Sequence, residues 1–120
     1  MDDNALPVAY LNWDDAILLA PVLASYGAWI RRICPFPSVI QTKAAAIESL
    51  QAKLFTLQQA RPAMIEGALF AVTVSEVDTL TTALEYFVAY LPRMVAPSQE
   101  RDGILESCNR LRAYIAATFS

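Results

Sequence analysis

Few side chains in this sequence could do chemistry. The most suggestive is Glu66, a carboxylate set among Met64, Ile65, Ala68 and Leu69. Burial there would raise its pKa and let it act as an acid or base. The simpler expectation is that it points to water. Asp14-Asp15 could begin a carboxylate metal site with Glu66 or Glu85, but two acids opening a helix are more simply its N-terminal charge complement. Ser49 and Lys53 stand four residues apart, the spacing of a Ser-Lys nucleophile pair, on a face expected to be solvated. Cys34 follows Arg31 and Arg32, which favour a thiolate, yet it closes a helix whose dipole disfavours one. Cys108 falls on a core face and reads as a small buried hydrophobe. With two isolated cysteines and no export signal ahead of the acidic Met1-Asp2-Asp3 start, free thiols, a reducing compartment and a cytoplasmic location are expected.

The chain has no histidine. That removes Ser-His-Asp and Cys-His nucleophile pairs, His-based zinc or haem ligation and the Glu-x-x-His di-iron pattern. Two cysteines alone hold no iron–sulfur cluster. There is no Walker A loop and no GxGxxG. The expectation is therefore no cofactor and no catalysis, with a carboxylate enzyme using Glu66 as the weakest alternative.

The element that must organise the rest is the run from Asn12 to Cys34. It is apolar almost all round from Ala16 to Ile30. A soluble helix of that kind is normally enclosed by others. Asn12 is a good N-cap with Asp15 at N3, Arg31 and Arg32 suit the C-terminal end, and Pro35 stops the helix. Pro21 either kinks this helix or divides it. A membrane span needs about 20 apolar residues. Ala16 to Ile30 is shorter and its extension adds two aspartates, so a buried helix is expected.

Around it, amphipathic patterns follow in order. Residues 1–11 read as a lead-in. Ser38 and Gln41 look like a capping box opening a second helix. There Ile40, Ile47, Leu50, Leu54 and Leu57 form an a/d seam that ends near Ala60. Pro62 suits the start of a third helix carrying Met64, Ile65, Ala68, Leu69 and Val72. Ser75 and Asp78 read as the cap of a fourth, with Val77, Leu80, Leu84, Phe87, Val88 and Leu91 inward, the Thr79 side outward, and Pro92 as its end. Ser98 caps a fifth, with Ile104, Cys108, Leu111 and Ile115 inward and Glu106–Arg110 as an i,i+4 pair. No stretch sustains period-two alternation, so no sheet is expected. The prediction is a single all-α domain over residues 1–120: a compact antiparallel bundle of about five helices around a central apolar helix.

Composition narrows the function. Hydrophobic residues make up 56% and charged residues 18%, against roughly 45–50% and about 25% in ordinary domains. That is more apolar surface than one small domain hides, and a self-association interface or an apolar pocket would absorb it. A net charge of −3 gives no general attraction to nucleic acid or anionic membrane. Arg101, Arg110 and Arg112 are interleaved with Glu100, Asp102 and Glu106, the pattern of a solvated face. The leading expectation is a non-catalytic protein–protein interaction module of regulatory, adaptor or immunity type, homodimeric. Its contact residues would be Ile40, Ile47, Leu50, Leu54 and Leu57, with an aromatic strip of Tyr86, Tyr90 and Met94. The alternative is a binding protein for an apolar small molecule, its pocket lined by Tyr26, Trp29, Phe70 and Phe87 with Arg32 or Glu66 as polar handle.

Overall fold

The first described element is a strand, β1 (Val8–Asn12), which leads directly into α1 (Trp13–Ile33). Then come α2 (Pro37–Ala60), β2 (Gly67–Ala71), α3 (Val74–Met94) and α4 (Gln99–Phe119). The computed structural model describes residues 8–60 and 67–119. The all-α reading holds; among the described residues there are four helices rather than five, and a two-stranded sheet that the pattern did not predict.

The missing helix is the proposed third one. Its residues 67–71 pair antiparallel with β1, in a register that sets Val8 against Ala71 and Asn12 against Gly67. Residues 61–66, Pro62 and Glu66 included, lie outside the described residues, and Val72 beyond the strand is buried in the core. Gly67 weakens a helix at that point. The partner strand lies far away in sequence, so no local pattern announces it. On β1, Tyr10 is exposed and Leu11 buried, the alternation of a strand with one face on the core.

The helix ends follow their caps. The Asn12 side chain accepts from the Asp15 backbone N–H at 2.8 Å, and the Cys34 N–H closes α1 on the Ile30 carbonyl at 2.9 Å. Pro21 lies inside one continuous helix. The cap of α3 is Thr73 and not Ser75: Thr73 and Glu76 form a reciprocal capping box. Pro92 does not end α3, which runs two residues further, until the Val95 N–H bonds the Leu91 carbonyl at 2.9 Å. A proline so close to the end removes one backbone bond and no more. Ser98 Oγ accepts from the Arg101 N–H at 3.0 Å at the start of α4, as its sequence position suggests.

One core joins all the elements. Leu19, Val22 and Leu23 of α1, Leu50 of α2, Leu80 and Leu84 of α3, and Cys108 and Leu111 of α4 are almost wholly enclosed. Thr79, expected outward, is also buried, its hydroxyl turned back to the Ser75 carbonyl at 3.1 Å. Contacts between α3 and α4 run in opposite directions. Arg101 reaches the Val95 carbonyl, while Arg112 reaches Glu85. The same holds where β1 and α1 meet α4, with Tyr10 against Tyr114 and Asp15 against Arg110.

The first helix departs from its expected enclosure. It touches all three other helices, but they cover one side of it. Ala16, Leu19, Leu23, Tyr26 and Ile30 face in, while Asp14, Ile17, Ala20, Pro21, Ala24, Ala28 and Arg31 are exposed. By length and mean hydropathy α1 could cross a membrane, a test that the core helix of a soluble protein also meets.

Candidate functional site

Two places combine unusual chemistry with defined geometry: a buried carboxylate between α2 and α3, and the aromatic and apolar surfaces of α1.

The buried carboxylate is Glu76, 3% exposed. The Thr73-x-x-Glu76 box places it at the N-terminus of α3, where the helix dipole favours negative charge. Oε1 accepts from the Thr73 backbone N–H at 2.8 Å and from Lys53 Nζ; Oε2 accepts from Ser49 Oγ at 2.8 Å. Ser49 and Lys53 thus do share a task, but as two donors one turn apart on α2 that grip one carboxylate. Burial pushes the Glu76 carboxyl up. The bonds from Lys53, Thr73 and Ser49 outweigh it and hold the group below its ordinary value. Glu76 is therefore ionised at neutral pH, with both carboxylate oxygens accepting hydrogen bonds from within the chain. The three donors join the start of α3 to α2 through one carboxylate, the arrangement of a structural clamp. The capping-box spacing was readable in the sequence; the two donors on α2 were not, because they join only when the helices pack.

The other expected chemical groups are placed as follows. Glu66 lies outside the described residues. Asp15 pairs with Arg110 at 3.0 Å, which takes Arg110 from its expected partner Glu106. Among the described residues no three metal-ligating side chains converge. Cys34 and Cys108 are both free thiols, and burial pushes Cys108 up to about 11, so its thiol stays protonated and inert. The arginines of α4 are spent within the chain: Arg101 on the Val95 carbonyl, Arg110 on Asp15, Arg112 on Glu85 at 3.7 Å.

The expected contact surface divides. Ile47, Leu50 and Leu54 are buried inside the chain, and Ile40 and Leu57 are half-buried beside them. This seam packs α2 onto its own neighbours and presents only its edges. Tyr86 and Tyr90 stack on each other at 5.2 Å, and Tyr86 continues onto Trp29 at 4.8 Å and Tyr26 at 5.8 Å. The strip is half-exposed and runs across the α1–α3 joint, with Met94 exposed beyond it. Burial pushes the Tyr26 hydroxyl up, and the Asp78 carboxylate adds to that. Tyr86 is raised by burial and by Tyr90, with Arg32 pulling the other way.

Of the residues proposed for an apolar pocket, the described ones lie in different settings. Tyr26 and Trp29 fill their own gap by packing on Tyr86. Phe87 is in the core, Arg32 is exposed, and Phe70 borders a shallow cleft with Leu57, Ala52 and Lys53. A concavity that the sequence did not suggest lies between α1 and α2. It is a cleft of about 240 Å³ lined by Ala24, Gly27, Ala28 and Arg31 on one side and Ala44, Glu48 and Gln51 on the other. Sequence reasoning missed it because it took α1 to be covered. The run of small residues, Ala20, Ala24, Gly27 and Ala28, was the available signal.

No protein-family model, curated protein or solved structure matches this chain.

Proposed function

We propose that this protein is a non-catalytic interaction module, a small helical protein of regulatory, adaptor or immunity type that works by binding protein surfaces and associates with itself. The observation that supports this most is the outward side of α1. From Ala16 to Ile30 it carries no charge, and Ile17, Ala20, Pro21, Ala24 and Ala28 stand open to solvent. Phe55, 63% exposed, adjoins it across a cleft shared with Ala20. Exposed apolar surface of this extent is a mark of a contact surface. Glu76, the one acid found buried among the described residues, is held by Lys53, Ser49 and Thr73, which favours binding over catalysis.

The reading places the protein in the cytoplasm with both thiols reduced. Its partners are proteins, itself included, and the net charge of −3 argues against nucleic acid. Sedimentation velocity of the chain purified without detergent tests it. A dimer, or a mixed complex recovered with a defined protein partner, is the expected result. A strict monomer that captures no protein and carries a co-purified apolar molecule would replace it with a ligand-binding role.

A further inference from the structure

The exposed residues of α1 have an order of their own. Asp14, Ile17, Pro21, Ala24, Ala28 and Arg31 recur at alternating spacings of three and four, the period of a helix–helix seam. All six are exposed. The inward residues Ala16, Leu19, Leu23, Tyr26 and Ile30 follow the same rhythm on the opposite side. So α1 has two seams, and the described residues fill only one.

The outer seam is complementary to itself. Its first member is an acid and its last a base, and neither has an ion-pair partner among the described residues. Two copies laid antiparallel about a twofold axis would set Asp14 against Arg31, Ile17 against Ala28, and Pro21 against Ala24. Each contact then occurs twice, as a twofold interface requires. Size is complementary too. Ile17 projects at one end, and Ala24, Gly27 and Ala28 at the other border the 240 Å³ cleft between α1 and α2. In this register the partner's projecting isoleucine reaches the edge of that cleft, and small residues let the two helices come close.

We propose that the protein forms a twofold homodimer through an antiparallel pairing of the outward faces of α1, with Asp14 and Arg31 fixing direction and register. This rests on the self-association proposed above and specifies where and how it occurs. A lipid surface fits less well, since an acid bounds the face at one end.

The test is sedimentation velocity on the full chain and its variants, with circular dichroism to confirm folding. Ala24→Arg, at the centre of the seam, is expected to give a folded monomer, while Val74→Asp, at an 81% exposed apolar site elsewhere, leaves the dimer intact. Asp14→Arg and Arg31→Asp each turn two attractions into two repulsions and should weaken self-association on the order of tenfold. Mixed in equal amounts, these two variants should dimerise again, because one then has a base at both ends and the other an acid. A helix merely damaged by either change would not recover on mixing.

A wild-type dimer that survives Ala24→Arg overturns the interface and leaves self-association standing. A wild-type chain monomeric at all concentrations overturns both. Two single variants that dissociate but do not restore each other overturn the antiparallel register. A monomer that co-sediments with phosphatidylcholine vesicles assigns the face to lipid instead.

Discussion

Glu76 and the outer seam of α1 are inverted in opposite senses: one is a charge inside the molecule, the other an apolar strip outside it. A buried carboxylate is costly unless it is paired and bonded. Lys53, Ser49 and the Thr73 N–H meet that requirement from within the chain. The strip from Ile17 to Ala28 has no such answer among the described residues. An inversion resolved internally belongs to the fold. One left unresolved is where function is to be sought.

The comparison can be broken by adding a charge where no partners wait. Leu50 is fully enclosed, so Leu50→Asp buries a carboxylate with nothing to hold it and should leave no folded protein. Loss of the cooperative thermal transition would show this. A folded, soluble variant would mean that the α2 seam is not internal. Next in size, Glu76→Ala removes a capping-box member and strands Lys53 and Ser49. It should cost about 2 kcal/mol in denaturant melts. A cost below a few tenths would make the clamp incidental.

The sign of the pH effect follows from the direction of the shift. The folded Glu76 carboxyl titrates below its ordinary 4.5. Its contribution is therefore complete above that value and declines as the pH falls through it and on through the lower folded value. Denaturant midpoints of the wild type should fall over that acid range, and those of Glu76→Gln should fall less. Parallel curves would remove Glu76 as a source of acid sensitivity. The smallest effect sharpens the contrast from the helix opposite in character. Gly103 lies on the exposed side of α4 with nothing within 4 Å of an added methyl. Gly103→Ala should stabilise by roughly 0.5–1 kcal/mol through helix propensity alone, read as a rise in Tm of a few degrees.

What the sequence disclosed was local. Asn12 and Ser98 act as caps where their types predict, and the spacing from Ile47 to Leu54 and from Cys108 to Ile115 identifies inward faces. What it concealed was non-local. The pairing of residues 8–12 with 67–71 depends on two segments that carry no shared pattern. The donors on Glu76 come from another helix. The open side of α1 was hidden for a related reason. An all-round apolar helix implies enclosure, but how many helices remain to enclose it depends on whether residues 67–71 coil or extend. They extend, and three helices cover α1 on one side.

The aromatic ladder across the α1–α3 joint has an optical consequence. Trp29 lies 4.8 Å from Tyr86 and 6.2 Å from Tyr26. Excitation absorbed by either phenol passes to the indole at such separations, so tyrosine emission is quenched while the joint is closed. Fixed ring geometry also gives these chromophores an asymmetric near-ultraviolet signal. Because the ladder stands apart from the outer seam, the molecule carries its own gauge of whether α1 and α3 remain docked. That gauge can be read in the same cuvette as any variant of the exposed face, and it separates a helix that has lost its partner from one that has lost its place.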